Sequence, residues 1–155
     1  MDGVVFTKVG CCGVRVVIRN EEGLLMEAMS KKVHFPLRAM EVEAMVMEEG
    51  IQLTRDLGLR DIDMESDAQM VVLVVGGTAP GPCSIQNIVE GAKQGLSAFS
   101  LWSCAHVRRQ CNMAAHLMAK EAINVKECLI WVEDTPNVIV TQIHLDVIAL
   151  DSCPK

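Results

Sequence analysis

The sequence predicts a mixed α/β fold in which helices pack on the faces of one sheet. Apolar residues alternate with period two in the first part of the chain, and a helical period of about 3.6 residues follows. Further along, two strand-like segments alternate with amphipathic helices. The predicted order is β-β-β-α-β-α-α-β-α with another helix near the end, which is typical of a mixed sheet covered by helices.

The first part of the chain predicts an antiparallel meander. Residues 4–6 are apolar, residues 10–13 are expected to form a flexible connector, and residues 14–19 alternate with the period of a strand. Residues 20–23 have the composition of a hairpin turn, so residues 24–30 are expected to return as the neighbouring strand.

The longest helix is predicted over residues 37–57. Pro36 limits the preceding residue to extended backbone, and Gly58 suits the C-terminal end of the helix. Glu43 lies on or beside the inward apolar stripe between Met40 and Met47, where a charge is unusual. The sequence leaves open whether Glu43 points inward or only flanks the stripe and reaches solvent.

The middle of the chain alternates strands and helices. Residues 61–67 predict a short strand that stops on an acid, and residues 68–75 suit a buried helix or a strand equally well. Glycines and prolines predict a loop over residues 76–82. A helix over residues 84–95 and a strand over residues 98–107 follow.

The last part predicts two more helices. Residues 108–110 interrupt the chain before an amphipathic helix over residues 112–123. Residues 129–132 could extend or pair, residues 133–136 have the pattern of a helix start, and residues 138–150 continue with an apolar period.

Composition restricts the class of protein. A chain of 155 residues, 50% of them hydrophobic, is the size of one domain with a substantial core. The net charge of −6 gives no overall attraction to nucleic acid, so any such binding would need local basic residues or metal ions. The odd number of cysteines and their scattered spacing predict reduced thiols in an intracellular protein without a membrane segment.

Three acids on separate elements are the candidate site. Asp67 is placed at the carboxyl end of a predicted strand, where ligands collect in open α/β sheets. Asp2 and Glu43 are the other acids expected to point there, and three converging carboxylates are what divalent-metal phosphodiester chemistry requires. Only Met1 precedes Asp2, so a strand leading up to Asp2 would be missing, and a disordered terminal acid is the alternative.

Several motifs together resemble one known family, the ribonuclease H-like domain of the reverse-transcriptase-like group, which is found in plants and retroelement-derived proteins. They occur in the family's order over about four-fifths of the chain. The matching motifs are Asp2-Gly3, Gly13-Val-Arg-Val-Val-Ile-Arg-Asn-Glu-Glu-Gly23, Glu43-Ala44, Glu65-Ser-Asp67, His106-Val-Arg-Arg-Gln-Cys-Asn112, Ala115-His-Leu-Met-Ala-Lys120 and Trp131-Val-Glu-Asp-Thr-Pro136.

The resemblance implies a three-layer ribonuclease H-like fold with a five-stranded mixed sheet, its first three strands antiparallel. The domain would span residues 1–125, with residues 126–155 as a C-terminal tail containing a helix. Family members have strand residues before the first acid, so the central strand would be cut short here.

The family cleaves the RNA strand of RNA–DNA hybrids with two Mg²⁺ ions held by four acids. The first three acids fall on Asp2, Glu43 and Asp67, and the fourth position falls on His116.

The histidine at the fourth position implies weakened catalysis. Neutral imidazole brings no negative charge, and Mg²⁺ prefers oxygen ligands whereas Mn²⁺ accepts nitrogen better. The expected cofactor is therefore Mg²⁺, with Mn²⁺ possible. Arg108, Arg109 and Asn112 are expected to contact nucleic acid.

Two functions from different classes follow from the resemblance. The first is metal-dependent hydrolysis of the RNA strand of an RNA–DNA hybrid by an endonuclease. The alternative is a catalytically silent, retroelement-derived domain that binds nucleic acid, as hybrid or duplex RNA, or a protein. A monomer in the cytoplasm or nucleus is expected for either.

Overall fold

The computed structural model describes residues 1–121, 126–132 and 134–151. The strands are β1 (Asp2–Phe6), β2 (Cys11–Arg19), β3 (Leu25–Val33), β4 (Asp61–Ser66), β5 (Leu101–His106) and β6 (Cys128–Val132). The helices are α1 (Ala39–Asp56), α2 (Gln69–Val75), α3 (Gln86–Leu96), α4 (Met113–Glu121) and α5 (Val140–Asp151). Short 3₁₀ turns cover Thr7–Val9, Cys83–Ile85 and Arg109–Asn112. No helix within the described residues is long and apolar enough to cross a membrane.

The strands form two ladders. β1, β2, β3 and β6 make an antiparallel sheet in the order β1-β2-β3-β6, and β4 pairs in parallel with β5. The α/β fold and the antiparallel arrangement of the first three strands are confirmed. The described residues form six strands in two ladders instead of one five-stranded sheet, and β1 pairs with β2 over its whole length, from Asp2 opposite Arg15 to Phe6 opposite Cys11.

The flexible connector predicted at residues 10–13 is wrong for most of its length. Cys11 and Cys12 are buried at the start of β2, and Gly13 pairs with Val4 of β1. The reversal instead takes place over Thr7–Val9 and ends on Gly10, whose φ of 60° suits glycine. Cys12 packs among the apolar side chains beneath α1. A small side chain fits this closely packed position at the start of β2.

The hairpin between β2 and β3 is confirmed. The side-chain oxygen of Asn20 accepts hydrogen bonds from the backbone N–H groups of Glu22 (3.1 Å) and Leu24 (2.9 Å). Gly23, with φ 79°, completes the turn. β3 continues beyond the predicted end to Val33, because Val33 still pairs with Cys12 on β2.

Helix α1 is at the centre of the core because two of its sides are buried. One side, with Val42, Val46 and Leu53, packs on β2. A second side packs against α2 and α3 and contributes Ala44, Met47 and Ile51 to that cluster. Residues 68–75, which suited a helix or a strand, form α2, whose valines at 71, 72, 74 and 75 are all buried in this second cluster.

The opposite side of the four-stranded sheet is covered by α4 and α5. Met118 and Ala114 of α4 and Ile143 of α5 pack with Ala28 of β3. The segment expected as a tail thus contributes a strand beside β3 and a helix to this core. The helix start predicted at residues 133–136 is wrong for its described part, since 134–136 are irregular and α5 begins at Val140. Residue 133 and the predicted end of α4 at Ile123 lie outside the described residues.

Candidate metal centre

Asp2 is an ordered, buried carboxylate at the start of β1. It is only 2% exposed and pairs with Arg15 of β2, so the disordered acid considered as an alternative is wrong. The α-amine of Met1 donates to the carbonyl of Glu65 (3.2 Å) and to the side-chain oxygen of Asn112 (3.3 Å). The first bond ties the beginning of β1 to the carboxyl end of β4, and the second ties it to the 3₁₀ turn before α4.

Glu43 reaches the same place from α1 because β1 and α1 lie unusually close together. A Cβ added to Gly3 would lie 2.7 Å from Val42 Cγ1 and 3.5 Å from Glu43 Cδ. Glycine at this position therefore permits the approach. The backbone N–H of Gly3 also hydrogen-bonds the Glu43 carboxylate. Of the two possibilities left open by the sequence, the structure has Glu43 pointing inward.

Asp67 follows directly after β4, as the strand pattern predicts. Its Oδ2 accepts a hydrogen bond from Arg109 Nε at 3.1 Å, although the Arg109 side chain is 65% exposed. Arg109 belongs to the 3₁₀ turn before α4, so this ion pair links the end of β4 to the segment that leads into α4.

The three acids come together. One ligand oxygen from each of Asp2, Glu43 and Asp67 lies within 4.8 Å of the other two. Each carboxylate also has a buried oxygen without a hydrogen-bond partner: Asp2 Oδ1, Glu43 Oε2 and Asp67 Oδ1. Buried carboxylate oxygens normally have partners, and a divalent cation with hard-oxygen preference supplies them. The donor set therefore fits Mg²⁺ or Mn²⁺.

The electrostatics show how unfavourable this cluster is without a cation. Burial, together with the charges of Asp2 and Asp67, raises the pKa of Glu43 to about 8. Burial also raises the pKa of Asp2, and the nearby Asp67 adds to the shift, although the hydrogen bond with His116 opposes it. Asp2 and Glu43 thus retain protons more tightly than usual, because burial and neighbouring like charges raise the pKa of both carboxyl groups.

His116, at the fourth position, lies beside the cluster. Its Nδ1 is 3.0 Å from Asp2 Oδ2, on the side of Asp2 that α4 covers. An ionised Asp2 can only accept hydrogen bonds, so Nδ1 then carries the proton. The imidazole thereby orients Asp2 and brings no negative charge to the site.

The predicted nucleic-acid residues lie in different surroundings. Arg108 is exposed, and Arg109 is exposed but paired with Asp67. Asn112 is 8% exposed, and its amide nitrogen donates to the carbonyl of Met1 at 2.6 Å. A contact between this amide and nucleic acid would have to replace the bonds that hold Met1.

Two positive groups beside the acids have roles that the sequence did not indicate. The α-amine of Met1 and the guanidinium of Arg109 both place positive charge near the acids. The pattern placed Arg109 on the surface as a phosphate contact, and nothing in the local sequence indicates its pairing with Asp67. For the α-amine, the sequence indicates nearness to the acids only through the position of Met1 next to Asp2.

The fold and the acid cluster define a ribonuclease H-like domain. The structure resembles RNase H1 from the halophilic archaeon Halobacterium salinarum NRC-1, with a TM-score of 0.74 and 22% identity over 79% of this chain and 93% of that one. It also resembles the N-terminal RNase H domain of a Mycobacterium tuberculosis protein fused to maltose-binding protein, with a TM-score of 0.72 and 18% identity over 79% of this chain and 89% of that one.

The family is established by the sequence itself. The family model described as reverse transcriptase-like matches residues 1–122, and the chain belongs to that family. Among curated proteins, none matches the chain significantly.

Proposed function

We propose that this domain hydrolyses the RNA strand of RNA–DNA hybrids with divalent metal ions. The observation that carries the proposal is the convergence of three carboxylates from β1, α1 and the end of β4, each with an unpartnered buried oxygen. Three carboxylates held in this way are a costly arrangement unless a cation neutralises them. The similar structures named as RNases H support the same chemistry.

Each side chain has a definite role in this proposal. Asp2, Glu43 and Asp67 would hold the metal ions, which lower the pKa of bound water and offset the charge of the leaving oxygen. His116 would position Asp2 through the bond at its Nδ1. Arg109 presents exposed positive charge next to Asp67, and its neighbour in the chain, Arg108, is also exposed. A phosphate backbone would need such local positive charge because the whole chain is acidic.

The substituted fourth position tunes the metal preference. With three carboxylates and one imidazole, the site is about one charge less negative than a four-acid site. We expect stronger activity with Mn²⁺ than with Mg²⁺, since Mn²⁺ tolerates nitrogen ligands and lower ligand charge better.

The direct test is cleavage of an end-labelled RNA–DNA hybrid with Mg²⁺, with Mn²⁺ or with a chelator. Asp67→Asn and Glu43→Gln should each lower cleavage by at least about a hundredfold if they remove a metal ligand. Glu65→Gln is the matched control, because Glu65 is an exposed acid on β4 outside the cluster. Absence of cleavage with either ion, or equal cleavage by Asp67→Asn and the original chain, would refute the enzymatic proposal.

One observation favours the second candidate, a silent nucleic-acid-binding domain. Arg109 already supplies a cation to Asp67, and His116 contacts Asp2, so protein groups partly occupy the place of metal ions. Binding of a hybrid or of duplex RNA that is unaffected by chelator, without cleavage, would support this candidate. Binding that requires Mn²⁺ and is followed by cleavage supports the first.

A further inference from the structure

β6 is an unprotected edge of the four-stranded sheet. It pairs with β3 on one side, and no strand among the described residues pairs with its other side. Natural sheets protect such edges with charged residues, prolines or bulges. β6 has the sequence Cys-Leu-Ile-Trp-Val, without charge or proline, and its register with β3 is regular. The sequence of β6 therefore favours pairing with a further strand.

The bonding pattern of β6 identifies the backbone groups that face outward. The N–H of Lys32 on β3 donates to the carbonyl of Glu127, just before β6, at 2.7 Å. In an antiparallel ladder, residues bonded to the neighbouring strand alternate with residues whose N–H and C=O groups point away from it. Cys128, Ile130 and Val132 therefore direct their backbone donors and acceptors to the open side.

The same three residues carry exposed apolar side chains. Ile130 lies opposite Met29, which belongs to the cluster beneath α1, so Cys128, Ile130 and Val132 lie on the α1 face of the sheet. Ile130 is 51% and Val132 61% exposed, and Cys128 is exposed as well. The open edge thus combines unpaired backbone groups with a row of exposed apolar side chains.

A second copy of β6 matches this edge. In an antiparallel pair centred on Ile130, each Ile130 lies opposite the other, and Cys128 lies opposite Val132 of the second copy. Every outward-facing residue of β6 then exchanges two backbone bonds with another outward-facing residue. The two apolar rows also contact each other, so apolar surface from both copies leaves water together.

The charges beside β6 favour the antiparallel direction. Lys126 and Asp134 are exposed and symmetric about Ile130 in the sequence, so antiparallel pairing places each lysine near the aspartate of the other copy. Glu127 and Glu133 are symmetric as well, so one kind of like-charge pair opposes the attraction. Parallel pairing in register would bring only like charges together at both ends, which is destabilising.

We propose that β6 pairs with β6 of a second copy of this chain, antiparallel and centred on Ile130. The two four-stranded sheets would join into one of eight strands, and the twofold symmetry would limit the assembly to two copies. This inference replaces the monomer expected from the sequence and does not depend on the proposed nuclease activity. β1 lies at the opposite edge of its sheet, so the two β1 strands would be about 33 Å apart across the joined sheet.

The first test is sedimentation of the full chain between about 1 µM and about 500 µM, a range suited to a small interface. The weight-average mass should rise from one copy to two. Ile130→Lys should weaken the dimer at least about tenfold, because two lysines would meet at its centre. Val9→Lys is the matched control, since Val9 is 57% exposed and follows β1 at the other edge, and it should dimerise as the original chain does.

A gain of affinity provides a test that misfolding cannot imitate. Glu127→Lys replaces the like-charge pair with an attraction at both ends of the joined strands. The dimer should tighten by about fivefold, as expected for two exposed ion pairs. Urea denaturation checks that each variant keeps the stability of the original chain.

The register is tested by Ile130→Cys. Residues that exchange backbone bonds across antiparallel strands have Cα atoms about 5.5 Å apart, which suits a disulfide. Oxidised glutathione should therefore link residue 130 of one copy to residue 130 of the other, as mapped by mass spectrometry of peptides. Cys128 provides an internal control, because the two Cys128 residues are far apart in this register and should not be linked.

Four results would overturn the proposal. The first is a single copy at every concentration, which would leave the edge to a partner of different sequence. The second is equal dimerisation of Ile130→Lys and Val9→Lys. The third is a link from residue 130 mainly to Cys128, which would mean a different register. The fourth is growth beyond two copies, which would mean open aggregation and not a closed pair.

Discussion

The two faces of the four-stranded sheet are built differently. On the face beneath α1, side chains from alternate positions of β2, including Val14, Val16 and Ile18, join one apolar cluster with Val42 and Val46. A second apolar cluster continues from α1 to α2 and α3. This face contains one buried carboxyl on the sheet, Glu27. Most of the apolar burial that stabilises the domain is therefore on the α1 side.

The face beneath α4 carries a buried polar row. Asp2, Arg15 and Ser30 are direct neighbours across β1, β2 and β3, so they share one face. Each has a buried atom without a partner, Asp2 Oδ1, Arg15 Nη2 and Ser30 Oγ. Arg15 also donates from Nε to the carbonyl of Met118 at 2.7 Å, which ties α4 to the sheet.

The difference shows how stability and function are divided. The α1 face can hold the fold together because its contacts are apolar and continuous. The α4 face holds His116 over Asp2 and tolerates unsatisfied polar groups, each of which costs free energy when buried. The α4 face carries three of these groups in one row, whereas Glu27 on the α1 face and Glu43 on α1 each have one unpartnered buried oxygen, so the cost of the acid cluster is shared by α1 and the α4 face.

The largest expected effect compares equivalent truncations on the two faces. Ile51→Ala on α1 should lower the free energy of unfolding by about 3 to 4 kcal/mol, because the surrounding cluster is large and closely packed. Ile143→Ala on α5 should cost about 2 kcal/mol, since its cluster is smaller. Urea denaturation of both variants measures the difference, and equal losses would contradict the division between the faces.

A pH dependence is expected from the acid cluster. The pKa of Glu43 is raised in the folded protein to about 8 from an ordinary value of 4.5, so the folded state binds this proton more tightly than the unfolded state. With chelator present, the contribution of Glu43 to stability is complete below pH 4.5 and is lost as pH rises to about 8. Thermal denaturation between pH 5 and pH 9 measures this slope.

Glu43→Gln supplies the control for the pH experiment. The variant should show a flatter profile in the metal-free protein, because an amide does not titrate. Addition of Mn²⁺ should stabilise the original chain at pH 8 and leave the variant almost unchanged. An identical pH slope in the two proteins would show that Glu43 does not titrate with the raised pKa.

The fourth position offers a smaller gain of function. His116→Asp should add a carboxylate beside Asp2 and raise Mg²⁺ affinity about tenfold, equivalent to about 1.4 kcal/mol. His116→Asn is the matched control, because it removes the imidazole without adding charge. Calorimetric titration with Mg²⁺ measures the affinity, and Mg²⁺-dependent hybrid cleavage should rise in parallel. Unchanged affinity in His116→Asp would mean that residue 116 lies too far from the metal to act as a ligand.

The smallest expected effect compares two serine substitutions, one in the buried polar row and one outside it. They should change the free energy of unfolding in opposite directions. Ser30→Ala should raise the free energy of unfolding by about 0.5 to 1 kcal/mol, because its buried hydroxyl has no partner. Ser66→Ala should lower it by about 1 kcal/mol, because Ser66 Oγ accepts the backbone N–H of Ala68. Urea denaturation gives both values, and a loss of stability in Ser30→Ala would mean that its hydroxyl has a partner in solution.

The local sequence pattern was sufficient to predict most of the helices and strands. The helix of α1 and the strand of β4 follow from apolar periodicity, and the hairpin at Asn20 follows from turn chemistry. Cys11 and Cys12 were assigned to a connector because nearby glycines indicate a loop. In the structure these small side chains are buried at the start of β2. The division of the sheet into two ladders was not predictable, because periodicity does not specify which distant edges pair.

The convergence of the three acids could be predicted in part from local pattern. Asp67 ends a recognisable strand and Glu43 is a charge beside an apolar stripe, and the family resemblance gave Asp2, Glu43 and Asp67 positions in one set of motifs. The interactions that fix these acids involve residues far apart in the chain, such as Asp67 with Arg109 and Met1 with Asn112, which are separated by 42 and 111 positions. No local signal encodes such pairs, so they became visible only in the folded structure.

The ion pair between Asp67 and Arg109 makes one junction of the domain sensitive to ionic strength. It joins the end of β4 to the turn before α4, and the Arg109 side chain is 65% exposed. Dissolved salt screens an exposed pair of charges far more than a buried contact. The bond from Arg15 Nε to the carbonyl of Met118 is buried, so high salt should loosen the segment leading into α4 at Asp67 before it affects the seat of α4 on the sheet.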